Sequence, residues 1–366
     1  MKIGVMLRSY DRAGGIGIYS RNIIKHLVTI DSRNEYVLMY NNDEHLGKYG
    51  GLANVEEVFL PATNPLLWDQ WQVPKVVRSK GIDLLFNTKF SLPFMTDVKK
   101  IMVLHGASWF VRPDLYKKLD ILYVRRAMPV YCRIADFLIS NSDLTTNDFI
   151  NILHVPKEKI ETVRLAQGDF FQPVDNQESL EFVRAKYSLP ARFVVTVTSY
   201  DPRKNFATLL GAFEKCRKQE NIHLVVVGKD CQRYRRDFDM DSNGLKEYVH
   251  FPGWIEQQDL PAIYSLAAAF VFPSVYEEFG IPVVESMACG CPVVSSNTGA
   301  IPELTQGAAL LADPYDEQSQ AANILKLLQS QEYSEFFRQK GLERAREFSW
   351  EKAARQTLEI FSRFSS

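Results

Sequence analysis

The stretch 268–296, AAFVFPSVYEEFGIPVVESMACGCPVVSS, decides the fold. Residues 268–272 form an apolar run without alternation, the pattern of a strand buried on both faces. Pro273 ends it, and Pro282 suits the first turn of a helix, where its missing N–H costs nothing. A second apolar run, 292–296, closes a strand–helix–strand unit. The same alternation extends outward on both sides. Strands are expected at 193–198, 222–227, 268–272 and 292–296, with helices at 205–217, 259–267 and 282–289. The first half repeats the pattern, with strands at 2–7, 35–40, 82–86, 100–105 and 136–140 and amphipathic segments at 16–30 and 143–152. Two such series predict an α/β chain of two doubly wound, Rossmann-like parallel-sheet domains facing each other. The polar, proline-bearing segment 170–190 marks the boundary, and 350–366 reads as an amphipathic terminal helix.

Length and composition agree with two ordinary globular domains: 366 residues, 46% hydrophobic and 24% charged. A net charge of −1 argues against a dedicated nucleic-acid binder, so no nucleic acid is expected as a partner. Residues 1–170 hold 22 basic against 18 acidic side chains, a balance compatible with an anionic ligand or surface. The five cysteines, 132, 216, 231, 289 and 291, are scattered, so a reducing cytoplasm is expected rather than a disulfide framework. The opening MKIGVML is too short an apolar run for a signal peptide, and no stretch reaches the ~18 apolar residues of a membrane span.

Four local patterns carry chemistry. In the loop after 268–272 stand Tyr276, Glu277, Glu278, Phe279 and Gly280, followed by Ile281 and, in the helix, Glu285. Free amides at that helix start face the carboxyl end of the strand, the usual ligand position in an open α/β sheet. Glu277 and Glu285 would repel a phosphate but suit the hydroxyls of a sugar or ribose; the plainer alternative is a capping acid and a solvated helical glutamate. In YDPRKNF (200–206), Arg203 and Lys204 are expected at a helix N-terminus, a poor place for cations unless a diphosphate sits between them and the amides. Gly14, Gly15, Ile16 and Gly17 follow the first strand, where glycines permit close backbone approach to phosphate. As a dinucleotide fingerprint this loop is defective, because Ser20 stands where the third glycine belongs. His105 ends the strand 100–105 and precedes Gly106.

The stretch 273–293 resembles the E-x(7)-E signature of retaining glycosyltransferases of family 4, usually Y-E-G-F-G-x-P-x-x-E-A-M-A-C-G-x-P-V-V. The chain departs at Glu278 and Ser286. The resemblance runs through RK at 203–204, GGIG with Tyr19 at 14–17, His105, LVVVGKD (224–230), GAIPEL (299–304) and FSWEKAARQTLEIF (348–361). It is weak over 41–98. The resemblance implies a GT-B fold with the active site in the cleft between the domains. It implies an acceptor-side domain at 1–172, a donor domain at 173–347, and a terminal helix at 348–366 that packs back on the first domain. It further implies that Glu285 holds the donor ribose, that Glu277 with the amides of Phe279, Gly280 and Ile281 holds the donor sugar beside Glu278, and that Lys204 and Arg203 meet the diphosphate. Gly15, Ile16 and Gly17 would approach that diphosphate from the first domain, and His105 would sit near the sugar. Thr198 and Ser199 stand where many members carry Gly-Arg.

The activity so implied is retaining transfer of a hexosyl group, from GDP-mannose or a UDP-hexose, to a glycan or lipid-linked glycan acceptor. Neither a metal nor another cofactor is expected. The D-x-D runs of 237–241 lie in a charged surface stretch rather than at a strand end. The basic, aromatic segment 116–133 reads as a helix with a solvated basic face, with peripheral contact to anionic lipid at the cytoplasmic face of the membrane as the alternative. Two other functions stay open at this level: a GT-B epimerase or silent sugar-nucleotide binder, and an NAD-dependent oxidoreductase.

Overall fold

The computed structural model describes residues 1–12, 14–61, 64–241 and 244–365. The chain forms two compact units, Met1–Leu165 with the C-terminal segment from Trp350, and Ala166–Ser349. The division at 165/166 falls earlier than the segment 170–190 read from composition and the 172/173 that the resemblance implies. Phe171 lies against Tyr264, with ring centroids 6.3 Å apart, and the Val174 amide donates to Ser265 Oγ at 3.0 Å. These contacts tie 166–174 to the second unit despite the prolines. The second crossing falls at 349/350 rather than 347/348, because Phe348 packs edge-on against Phe279 of the second unit.

The first unit is built on β1 (Lys2–Met6), β2 (Glu35–Tyr40), β3 (Val55–Phe59), β4 (Leu84–Asn87), β5 (Lys99–Leu104), β6 (Phe137–Ser140) and β7 (Ile160–Thr162). Their order is β3-β2-β1-β4-β5-β6-β7, and every pair is parallel. The second unit carries β8 (Phe193–Val197), β9 (His223–Val227), β10 (Val249–His250), β11 (Ala269–Phe272), β12 (Val293–Ser296) and β13 (Leu310–Ala312). That sheet is also all parallel, in the order β10-β9-β8-β11-β12-β13. Each sheet reverses its winding once, between β1 and β4 in the first and between β8 and β11 in the second. In open sheets of this kind, ligands bind outside the carboxyl ends of the strands at such a reversal.

Four strands absent from the sequence reading, β3, β7, β10 and β13, are the four sheet edges. Edge strands are short and covered on fewer sides, so they lack the continuous apolar run that identifies an interior strand. The C-terminal helix Trp350–Ser362 buries Trp350, Ala353, Ala354, Thr357, Ile360 and Phe361 along one face. It packs on the helix Gly15–Ile30, where the Trp350 ring meets Tyr19 at 5.9 Å. Phe361 meets Phe86 of β4 at 5.1 Å, and Arg363 pairs with Glu161 of β7 at 2.7 Å. Trp350 is completely buried. Trp350→Ala is therefore expected to destabilise the first unit by about 3–5 kcal/mol, the usual cost of emptying a buried aromatic site. Urea unfolding followed by circular dichroism checks this: the first unit's transition moves to lower denaturant while that of the second stays.

Candidate functional site

The reversal between β8 and β11 gathers most of the candidate residues. Asp201 opens a single 3-10 turn, Pro202–Lys204, its Oδ1 accepting from the Arg203 amide at 2.9 Å. Asn205 follows with φ 53°, and only then does the helix Phe206–Arg217 begin. Arg203 and Lys204 thus stand just before the helix N-terminus, as expected, but on a separate turn of their own. Asn205 reorients the chain between the two, and its Nδ2 donates to the carbonyls of Pro273 (3.1 Å) and Pro314. The Val275 amide donates to the Arg203 carbonyl at 2.9 Å, so the loops after β8 and β11 are fastened to each other.

Across that fastening, Lys204 Nζ donates to Glu277 Oε1 at 2.6 Å. Both side chains are largely buried, 18% and 12% exposed, and the ammonium lies 4.9 Å from the Phe272 ring centre. Arg203 turns away: its guanidinium grips Asp201, with Nη2 at 2.7 Å from Oδ2 and Nε at 3.1 Å. That charge is answered within its own turn. Against the upward push of desolvation, those hydrogen bonds hold the half-buried Asp201 carboxyl below its ordinary pKa.

Glycine is required twice around Glu277. Gly299, at φ 63°, lies so close to the Glu277 backbone that a Cβ would stand 2.6 Å from its carbonyl oxygen. The neighbouring Ala300 amide donates to that same oxygen at 2.9 Å. Gly280, at φ 106°, caps the helix Ile281–Ala288, and a Cβ there would stand 2.8 Å from Ile301 Cδ1. Phe279 and Ile281, on either side of it, are buried, while Glu278 is half-buried. The Ile281 amide has no acceptor within that helix, Pro282 has no N–H, and the Val283 amide donates to the Gly280 carbonyl at 3.0 Å.

Glu285, in the same helix, is 6% exposed, which excludes the solvated-glutamate alternative. Its Oε2 accepts from the fully buried Tyr264 hydroxyl at 3.3 Å. Burial raises its pKa from 4.5 to about 7, and the tyrosine bond offsets only part of that. Glu277 and Glu285 therefore differ in their partners: one meets a lysine, the other, half-neutral near pH 7, meets a phenol. Ser274, missed in the sequence reading, has a completely buried Oγ without a hydrogen-bond partner in the loop just after β11. Only its place one residue beyond the strand-ending Pro273 could have drawn attention to it.

Gly15, Ile16, Gly17 and His105 belong to the first unit. Gly14, at φ 83°, caps the helix Gly15–Ile30, and a Cβ on Gly17 would stand 1.8 Å from the Arg12 carbonyl oxygen, so only glycine fits there. His105 Nε2 donates to the Thr88 carbonyl at 2.7 Å, and the Asn141 amide donates to the His105 carbonyl at 3.1 Å. Desolvation lowers the imidazole pKa to about 4. The ring is thus neutral near pH 7 with its proton on Nε2, which leaves Nδ1 as an acceptor. Tyr19 packs edge-on to it at 5.1 Å.

The acidic run 237–241 is engaged in ion pairs. Asp237 accepts from Tyr200 and pairs with Arg236, and Asp241 pairs with Arg235 and Lys246 at 3.4 Å. No helix among the described residues is long and apolar enough to cross a membrane.

Two doubly wound parallel sheets of this order place the chain in the GT-B fold class. Residues 181–344 match the model of the family described as glycosyl transferases group 1. The chain is 27% identical to O-antigen chain mannosyltransferase B of Escherichia coli over 95% of either chain. It is 28% identical to the MMP α-(1→4)-mannosyltransferase of Mycolicibacterium hassiacum, over 77% of this chain and 68% of the relative. In fold it is similar to Anabaena HepE, solved in complex with UDP and glucose, at TM-score 0.78, 20% identity and 99% of both chains. It is equally similar to a sucrose-phosphate synthase from Thermosynechococcus elongatus, at TM-score 0.78, 21% identity, and 99% and 98% of the two chains. The group 1 match covers most of the second unit, and the chain is a hexosyl-transferring enzyme.

The buried Glu285 makes a testable demand on stability. Well below pH 4.5 its carboxyl is protonated in the folded and unfolded chain alike, and its burial carries no ionisation cost. As the pH rises from about 4.5 to 7 the unfolded chain ionises while the folded one keeps its proton, so stability falls by about 3 kcal/mol across that window. Glu285→Gln, which keeps an acceptor for Tyr264, is expected to lack this fall. Denaturant unfolding of both proteins at several pH values measures it, and parallel pH curves would contradict the assignment.

Proposed function

We infer that the protein transfers a hexosyl group from a nucleotide-diphosphate sugar to a glycan or lipid-linked glycan acceptor, with retention at the anomeric carbon and without a metal ion. The observation that carries this reading is the Lys204–Glu277 pair at the β8/β11 reversal, beside the start of the helix Ile281–Ala288. One of the three donors of Lys204 is used by Glu277. The others, with the amides near Ile281, supply positive charge where the leaving diphosphate accumulates negative charge. Glu277 then has its second oxygen to accept from a hydroxyl of the donor sugar. Glu285, with its pKa near 7, gains its charge when ribose hydroxyls donate to it. Neutral His105 offers Nδ1 to a sugar hydroxyl rather than a positive charge to the reacting centre.

A carboxylate already neutralised by a lysine is a weak nucleophile. That favours same-face attack assisted by the leaving phosphate over a glycosyl–enzyme intermediate on Glu277. Both relatives named above are mannosyltransferases, which supports a mannosyl donor of the GDP-mannose type, with a UDP-hexose as the other candidate.

Calorimetric titration with GDP, UDP and ADP tests the donor assignment. One nucleoside diphosphate is expected to bind tightly, and Lys204→Ala to weaken it ~10-fold or more, the loss of a charge-assisted contact worth ~1.5–3 kcal/mol. An unchanged affinity would return Lys204 to a purely structural role. Turnover is expected to persist in excess chelator.

The lipid-linked acceptor is supported by the helix Lys118–Ile134. It buries Val124, Met128, Tyr131 and Cys132, yet leaves Leu119, Leu122, Tyr123 and Val130 exposed, Leu119 at 80%. Arg125, Arg126 and Arg133 are exposed among them. Apolar side chains between exposed arginines match the boundary of an anionic bilayer, at the membrane's cytoplasmic face. Co-sedimentation is expected with phosphatidylglycerol vesicles and not with phosphatidylcholine alone, and Leu119→Glu is expected to abolish it. Equal recovery with both lipids would contradict the electrostatic part.

A further inference from the structure

The reversal of the first sheet, between β1 and β4, gathers a second set of charges that the donor chemistry does not use. Met6 and Asn87 are register partners at the ends of the two strands. Two residues beyond each, Arg8 and Lys89 leave the sheet side by side. Their neighbours Ser9 and Thr88 are joined hydroxyl to hydroxyl at 3.0 Å, and Ser20 Oγ donates to Thr88 Oγ1 at 2.8 Å beneath them. A third cation, Arg12, follows in the same loop. Its backbone is held by the close approach of Gly17 described above, while Arg21 Nη1 donates to the Tyr10 carbonyl at 2.6 Å.

One carboxylate answers the three cations. Asp69 is 2% exposed, lies in the single π-turn Trp68–Gln72, and pairs with Arg8 Nη2 at 3.1 Å. Lys89 has no carboxylate within ion-pair distance among the described residues, and its ammonium rests 5.2 Å from the Phe90 ring centre. Burial, with repulsion from Arg12 and Arg8, brings its pKa down to about 8. A lysine in a merely structural role would be paired or would hold its ammonium in water. This one is half-buried within an excess of two positive charges, at the place where such sheets take ligands.

We propose that Arg8, Arg12 and Lys89 form a phosphoryl-binding site of the first unit, and that it holds a phosphate or diphosphate group carried by the acceptor. The word acceptor rests on the transferase reading above; the binding site does not. Arg8, braced by Asp69 and lying 6.0 Å from the Trp68 ring centre, is the fixed member. Lys89 and Arg12 are the members with donors to give. The hydroxyls of Ser9, Ser20 and Thr88 bond chiefly to one another and fix the loops from below.

Lys89 itself reports on occupancy, because an amine of lowered pKa acylates readily and a bound phosphoryl group blocks it. The full-length protein is treated with an acetylating ester at pH 8, and Lys89 labelling is read by peptide mass spectrometry, with Lys80 as internal control. Inorganic diphosphate at about ten times its dissociation constant is expected to slow Lys89 labelling about 10-fold and leave Lys80 unchanged. Arg12→Gln is expected to shift the protection to higher concentration. A prenyl diphosphate and a hexose 6-phosphate, compared in parallel, separate a lipid-linked from a sugar-phosphate acceptor by which protects at lower concentration. The same measurement on Lys204→Ala keeps the two readings apart. Protection that persists there supports an independent site even if nucleotide fails to bind the second unit. Protection that vanishes with Lys204, or no protection by any of the three phosphates, would overturn the proposal.

Discussion

The ion pair between Lys204 and Glu277 is the constraint around which the second unit's ligand crevice is built. It joins the loops leaving β8 and β11, the two strands at which the sheet reverses. Everything nearby serves to hold its two ends in place: the Asn205 turn, the Val275 amide on the Arg203 carbonyl, and the flat Gly299 against the Glu277 backbone. A pair this far from water contributes little net stability, since desolvating both ions offsets most of their attraction. Its value lies in holding an ammonium ready at a crevice, with donors to spare, where a charged ligand replaces the lost hydration.

Charge is arranged differently at each carboxylate and base of the fold, and burial is the common cause. Glu277 meets the ammonium of Lys204. Burial pushes Glu285 towards neutrality, with the Tyr264 bond offsetting only part of it, and burial lowers the proton affinity of His105 against the opposing Thr88 bond. Three ordinary side chains thereby become a charged anchor, a latent acceptor and a neutral acceptor. Under the function proposed above, hydroxyl-rich ligands meet acceptors and the diphosphate meets Lys204. The first unit repeats the logic at its own reversal with the opposite excess, as Arg8, Arg12 and Lys89 outnumber Asp69.

Much of this was legible in the sequence, and what was not has physical reasons. Interior strands announced themselves by apolar runs such as FVVTV and AFVF, which hold only where both faces are covered. The sheet edges did not, because VEEVF and the two-residue VH carry no such run. The loop residues around Glu277 and Lys204 were visible as motifs, but their pairing was not, since 73 positions separate them and only the parallel β8–β11 contact brings them together. Arg203 and Lys204 were both visible as candidate phosphate ligands; Asp201, which engages one and spares the other, acts through a turn geometry that spacing does not reveal. Lys89 carried no motif at all. Its interest comes from the register of β1 with β4, which places it beside Arg8.

The most direct test is hydrogen–deuterium exchange of the full chain with and without the nucleoside diphosphate that binds it. The account predicts slowed exchange in the turn 201–206 and at the start of the helix Ile281–Ala288, with the rest of the second unit little changed. Protection confined to other segments of that unit, or none in these two, would contradict the claim that the Lys204–Glu277 crevice holds the donor.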